Sequence, residues 1–157
     1  MIVYSYYVLD VIHKGHLLMM KNAKAMAGYD GKLIVGILTD EATMEKKPKP
    51  IIPFEERMAM VEALRCVDQV VKVTHRDCTP MLNKLSKQGL KIKYLFHAGW
   101  DPEKDADLKR SKETIERLGG KLVQPKYYEG VSTSAIIARI IERKTDLEHA
   151  IDRRMEG

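Results

Sequence analysis

The chain has 157 residues, 45% of them hydrophobic and 31% charged, with 10 Gly and 6 Pro. That is globular chemistry for one domain of the usual ~100–200 residues, and it excludes a disordered or collagen-like chain. The balance of 27 Lys+Arg against 22 Asp+Glu, net +5, favours an anionic partner. The basic residues are scattered and not interleaved with aromatics, which argues against nucleic acid as that partner.

No apolar run approaches the ~18 residues a membrane span needs. Met1-Ile2-Val3-Tyr4 begins as a strand, without the cationic start and apolar stretch of a signal peptide. Two cysteines in unrelated contexts, Cys66 and Cys78, suit a reduced compartment. These features together predict a cytoplasmic protein with no membrane insertion.

In chain order, Ile2–Val8 is β-branched and aromatic and reads as a buried strand, followed by a helix over 17–27 that stops at Gly28. Residues 32–38 form a second buried strand. A Lys/Pro loop over 45–50 leads to a helix from Pro53 to about Arg65. Strands over 69–73, 92–97 and 121–124 alternate with helices over 79–87, 105–118 and 132–144. This rhythm predicts α/β architecture: a Rossmann-like parallel sheet with helices on both faces and a ligand beyond the carboxyl ends of the strands. The domain spans 1–144; the tail, 145–157, is helical or frayed. Tyr6, Met19, Met20 and Met26 suit either the core or an interface between copies.

The chemistry concentrates between the first strand and the first helix, in Asp10-Val11-Ile12-His13-Lys14-Gly15-His16. Two imidazoles three residues apart at a helix start project from nearly one side. Gly15 lets a ligand approach the backbone, and the helix N-terminus favours phosphate. The same spacing would also serve a metal ion or an ordinary hydrogen-bonded turn.

His13-Lys14-Gly15-His16 resembles the HxGH signature of the cytidylyltransferase branch of the HIGH nucleotidyltransferase superfamily. Three further segments agree in order. They are Thr39-Asp40-Glu41, then Glu55-Glu56-Arg57 with Arg65-Cys66-Val67-Asp68, and Glu129-Gly130-Val131-Ser132-Thr133-Ser134. The resemblance covers about residues 1–144. It implies in-line attack by a phosphate oxygen of an acceptor on the α-phosphorus of CTP, with pyrophosphate leaving and Mg2+ assisting, and it implies a homodimer. His13, His16, Lys46 and Arg65 would be catalytic. Val8, Leu9, Asp10, Gly15, Lys126, Gly130, Ser132 and Thr133 would bind the nucleotide, with Asp10 also holding its loop. Lys47 and Lys49 are alternatives to Lys46; a plain helix cap would also account for Ser132 and Thr133, though phosphate binding is the favoured role.

The chain departs from the family pattern at two places. Tyr7 stands where a glycine is usual, and His97-Ala98-Gly99-Trp100 replaces a GDDW segment, removing two carboxylates. Tyr7, Lys49, Asp68, His97 and Trp100 are candidate contacts to the base or the acceptor, with Asp68 otherwise positional and Trp100 equally suited to core packing. Loss of the acids points to an anionic acceptor, a small phosphate or phosphonate such as glycerol 3-phosphate, rather than a cationic one. Two rivals keep the fold: an adenylyltransferase using ATP, of the FAD-synthetase kind, and a nucleotide-binding protein without catalysis.

Overall fold

A computed structural model of the chain describes residues 1–99, 101–126 and 128–155. Five strands, β1 (Ile2–Tyr7), β2 (Lys32–Leu38), β3 (Gln69–Val73), β4 (Ile92–Phe96) and β5 (Lys121–Val123), form one sheet in the order β3-β2-β1-β4-β5. Every pairing is parallel. Seven helices complete the described chain: α1 (Lys14–Ala27), α2 (Asp40–Met44), α3 (Phe54–Glu62), α4 (Thr79–Lys87), α5 (Ala106–Arg117), α6 (Thr133–Glu142) and α7 (Lys144–Met155). The expected Rossmann-like fold is present.

The pleat divides the apolar residues between two cores, since alternate side chains of a strand point to opposite faces. Val3, Leu33, Val35 and Ile37 pack with Met19 and Met20 of α1 and Phe54 and Val61 of α3. Tyr4, Tyr6, Ile34 and Leu95 pack on the other face with Leu82 and Leu85 of α4 and Ile115 of α5. Burying each of these large side chains contributes about 1.5–3 kcal/mol. Tyr6, Met19 and Met20 are thus core residues, and Met26 packs partly buried against the first core.

Two polar details fix the central strands. The Ser5 hydroxyl donates to the Phe96 carbonyl (2.6 Å), tying β1 to β4. A Cβ at Gly36 would lie 2.5 Å from the Tyr4 hydroxyl and 2.6 Å from Val73, so only glycine leaves room for that tyrosine.

The segment Thr39-Asp40-Glu41 begins a short helix rather than merely ending β2. The Thr39 hydroxyl accepts from the Ala42 N–H (3.1 Å) as an N-cap, and Asp40 and Glu41 occupy the favourable first turn. The tail is helical: α7 runs to Met155. Neither α6 nor α7 has a fully buried residue, and Ile141 and Ile151 are exposed. Among the described residues no helix is long and apolar enough to cross a membrane, and neither cysteine is in a disulfide.

Candidate active site

At the carboxyl ends of the strands a cavity of about 810 Å³ opens where the strand order reverses, between β1 and β4. In an open parallel sheet this reversal point is where neighbouring loops diverge and leave a crevice. Its walls come from the β1–α1 loop, the start of α1, the Lys/Pro loop, the turn after β3, the end of β4 and the start of α6.

The β1–α1 loop is held in an unusual shape. Leu9 and Val11 have φ of 56° and 47°, a left-handed conformation that is costly for a β-branched residue. Asp10, between them, is fastened on both sides. Its carboxylate accepts from the Ile51 and Ile52 N–H groups (2.9 Å each), and its carbonyl accepts from the Thr133 hydroxyl (2.9 Å). Arg57, only 1% exposed, donates to the carbonyls of Val8, Leu38 (2.9 Å) and Ile52 (2.9 Å) and pairs with Asp40 (2.7 Å). It ties the ends of β1 and β2 and the end of the Lys/Pro loop to one point, which holds the strained backbone in place.

His13 is the N-cap of α1, its Nδ1 accepting from the Gly15 N–H (3.1 Å). That bond places the remaining proton of a neutral ring on Nε2, as a donor. The His16 ring stacks on it, centroids 3.8 Å apart and planes 22° from parallel. Burial, then the neighbouring His13 and Lys47, pushes the His16 pKa down to about 4, and burial lowers that of His13. Both rings are therefore neutral N–H donors near pH 7. A Cβ at Gly15 would sit 2.9 Å from the His13 ring, so a side chain there would displace the imidazole. The first turns of α1 and α6 carry no acidic residue, and both helix starts line the cavity with their positive ends.

The structure brings together Tyr7, Val8, Leu9, Asp10, His13, Gly15, His16, Lys49, His97 and Thr133 as cavity walls. It does not bring in all the expected residues. Lys46 turns away to Asp107 (3.1 Å) and Asp105 (4.0 Å), and its neighbour Lys47 lines the cavity instead.

Arg65 is exposed in the turn before β3, at the amino end of the sheet and so opposite the cavity. Asp68, also at that end, accepts from Lys24 (2.7 Å) and the Leu33 N–H (2.7 Å), which makes it a structural tie. Ser132 caps α6 by accepting from the Ala135 N–H (3.1 Å). Lys126 and Gly130 are exposed and outside the walls, Gly130 lying against the Tyr128 ring. Trp100 lies outside the described residues.

Three wall or support residues were not singled out from sequence: Arg57, Arg76 and Tyr128. The sequence signal for Arg57 was its place in Glu55-Glu56-Arg57; Arg76 and Tyr128 carry no local pattern.

Among the described residues no cluster of three metal-binding side chains occurs. Asp10 is the one carboxylate in the described walls, and both its oxygens already accept amide protons. The residues present thus fit Mg2+ only as an ion carried in by nucleotide phosphates, the usual habit of this ion at phosphate sites.

The family model described as cytidylyltransferase-like matches residues 8–139. The chain is 31% identical over 140 residues to an FAD synthase of Methanopyrus kandleri, covering 86% of this chain and 88% of that one. It is 34% identical to an FAD synthase of Methanohalophilus mahii, over 86% and 90%. Identity to the ethanolamine-phosphate cytidylyltransferase of Arabidopsis thaliana is 31%, over 84% of this chain but 30% of that longer protein. The fold matches a solved structure titled as a lipopolysaccharide core biosynthesis protein of Thermoplasma volcanium, with TM-score 0.63 and 23% identity over 82% of this chain and 98% of that one. The chain belongs to the cytidylyltransferase-like family of nucleotidyltransferases.

Proposed function

We propose that the protein transfers CMP from CTP to a small phosphate or phosphonate acceptor, releasing pyrophosphate and a CDP-activated product. The observation that carries this reading is the His13–His16 pair, neutral and stacked at the N-terminus of α1 inside the cavity. An acceptor oxygen forms a bond to the α-phosphorus while the bond to the bridging oxygen breaks, and the electron pair leaves with pyrophosphate. An acceptor that is already an anion needs no general base, so the protein's work is positioning and charge stabilisation. The imidazole N–H groups donate to the phosphoryl oxygens as negative charge builds there. The ends of α1 and α6 hold the phosphates, and Lys47 adds a cation from the Lys/Pro loop. Mg2+, when bound with the nucleotide, neutralises part of the triphosphate charge.

CTP as donor is supported by the cytidylyltransferase-like family match and the Glu129–Ser134 segment. Adenylyl transfer from ATP is a second reading. It is favoured by the FAD synthases that match over nearly their whole length.

One experiment separates them: thermal shift with CTP, ATP, GTP and UTP, each with Mg2+, followed by pyrophosphate release with small phosphates, phosphonates and FMN. A ligand at about 100 times its Kd stabilises the fold by ~2.7 kcal/mol, a shift of several degrees at this size. CTP alone giving the shift and the pyrophosphate is the expected result. ATP and FMN together giving both would overturn it. A shift without pyrophosphate from any pairing would indicate binding without catalysis.

A further inference from the structure

Residues 131–155 are tied to the rest of the domain by little that is polar. Neither α6 nor α7 has a fully buried residue, and their helix bonds, the Ser132 cap and the Lys144–Glu148 pair are all internal. Among the described residues, one hydrogen bond runs from this segment to the body of the domain, from Thr133 Oγ1 to the Asp10 carbonyl (2.9 Å). Ile136 and Ile137, near the same end of α6, are half-buried.

The two hydroxyls at the start of α6 work in opposite directions. Ser132 accepts from the Ala135 N–H and caps the helix from within, whereas Thr133 gives its proton outward. A hydroxyl has one proton, and ionised phosphate oxygens only accept. While Thr133 holds Asp10, its hydroxyl therefore has nothing to donate to a phosphate, although it lines the cavity.

The acceptor of that proton is itself set up for the bond. A peptide's direction follows the torsions on either side of it, and the Asp10 carbonyl belongs to the peptide before Val11, whose φ is 47°. That conformation is costly for a β-branched residue, and such strain persists only where surrounding bonds hold it. The Asp10 carboxylate meanwhile accepts from the Ile51 and Ile52 N–H groups. One residue thus joins the segment leading into His13 and His16, the end of the Lys/Pro loop and the start of α6.

We propose that Thr133 is a positioning residue, which acts through the Asp10 carbonyl to fix the amino end of α6 relative to that of α1, and that it is not itself a phosphate ligand. This rests on the transfer reading above, in which both helix ends hold phosphates. The tether matters most in the transition state, where charge on the phosphoryl group must meet both ends at once. In the ground state a loosened α6 can still follow the triphosphate.

The variants are Thr133→Val, which removes the hydroxyl at nearly constant shape, and Thr133→Ser, which keeps it. Each is measured for inorganic tripolyphosphate affinity by calorimetry, amide hydrogen exchange, urea midpoint, and kcat and KM for pyrophosphate release. In Thr133→Val, exchange across α6 is expected to quicken about fivefold while that of α4 and α5 stays unchanged, since one neutral hydrogen bond is lost. Its kcat is expected to fall roughly tenfold, with tripolyphosphate affinity and CTP KM within about threefold of wild type. Thr133→Ser is expected to behave as wild type in all of these.

A loss of tripolyphosphate affinity of about tenfold or more in Thr133→Val would overturn the proposal by making the hydroxyl a phosphate ligand. Unchanged α6 exchange with unchanged kcat would overturn it as well, leaving the bond without consequence. A lowered urea midpoint with normal kcat would do the same, reducing Thr133 to a structural contact. Should Thr133→Val not fold, Thr133→Ala removes the same hydroxyl and carries the same expectations. Quickened α6 exchange with tripolyphosphate affinity kept, in a protein that releases no pyrophosphate from CTP or ATP, would support the tether and sink the transfer reading.

Discussion

Two loops meet at the cavity and are held in opposite ways. The loop after β1 carries strain at Leu9 and Val11, yet Arg57, Thr133 and the Ile51 and Ile52 amides fix it at several points. The Lys/Pro loop is exposed from Glu45 to Lys49. Beyond its short backbone bonds to Thr43, its described ties at the front are side-chain pairs, Lys46 with Asp107 and Asp105 and Glu45 with His75. In the proposed transfer, the groups that must stand still sit on the first loop, and the lysine ammonium groups that can follow a substrate sit on the second. Preorganised donors cost no reorganisation at the moment of reaction, whereas a mobile cation can adapt to both substrates.

Breaking the rigid loop should have the largest effect. Arg57→Ala leaves the Val8, Leu38 and Ile52 carbonyls and Asp40 without their donor, so a stability loss of about 3–5 kcal/mol is expected, read as the urea midpoint. A loss under about 1 kcal/mol would mean the loop holds its shape without Arg57. His16→Ala should leave the melting temperature nearly unchanged and lower turnover by about 10²–10³, the magnitude for removing one preorganised donor. Turnover within about threefold of wild type would remove His16 from the mechanism.

The softer loop sharpens the comparison with smaller effects. Lys47→Ala is expected to reduce turnover about tenfold, and Lys46→Ala about twofold, because only Lys47 lines the cavity. A larger loss at Lys46 would mean that it leaves Asp107 and swings inward during the reaction. Asp107→Asn would then change turnover as well, since it removes the carboxylate that holds Lys46 outside the walls.

How far the sequence revealed this arrangement follows the same division. The five strands and the two-sided helical cover were legible because long apolar runs alternate with helical periods. The His pair was legible because it is local, four residues at one strand end. Arg76 and Tyr128 were not, since only the tertiary fold carries them to the cavity. Arg65 was misleading for a matching reason: four residues before β3, parallel topology forces it to the amino end of the sheet. Lys46 and Lys47 are adjacent in sequence, and only packing against Asp105 and Asp107 decides which one turns inward.

Acidity tests whether the cavity is as dry as its geometry implies. Burial pushes His16 and His97 down to about 4, so both stay neutral in the folded state while the unfolded chain protonates them near the ordinary value of 6.5. Between those two values the unfolded state binds more protons, so these two groups leave stability unchanged well above pH 6.5 and lower it as pH drops toward 4. Two such groups give a slope approaching two protons, about 2.7 kcal/mol per pH unit, and His13, also lowered by burial, acts in the same direction. The lowered carboxylates Asp68, Asp77 and Asp107 act in the same direction but in a separate window, below about pH 4. Chemical denaturation from pH 7 to 4 measures the slope. His97→Asn should cut it by about one proton and leave the region below pH 4 unchanged. A wild-type stability that stays level to pH 5 would mean that water reaches both rings and that neither is desolvated as its burial implies.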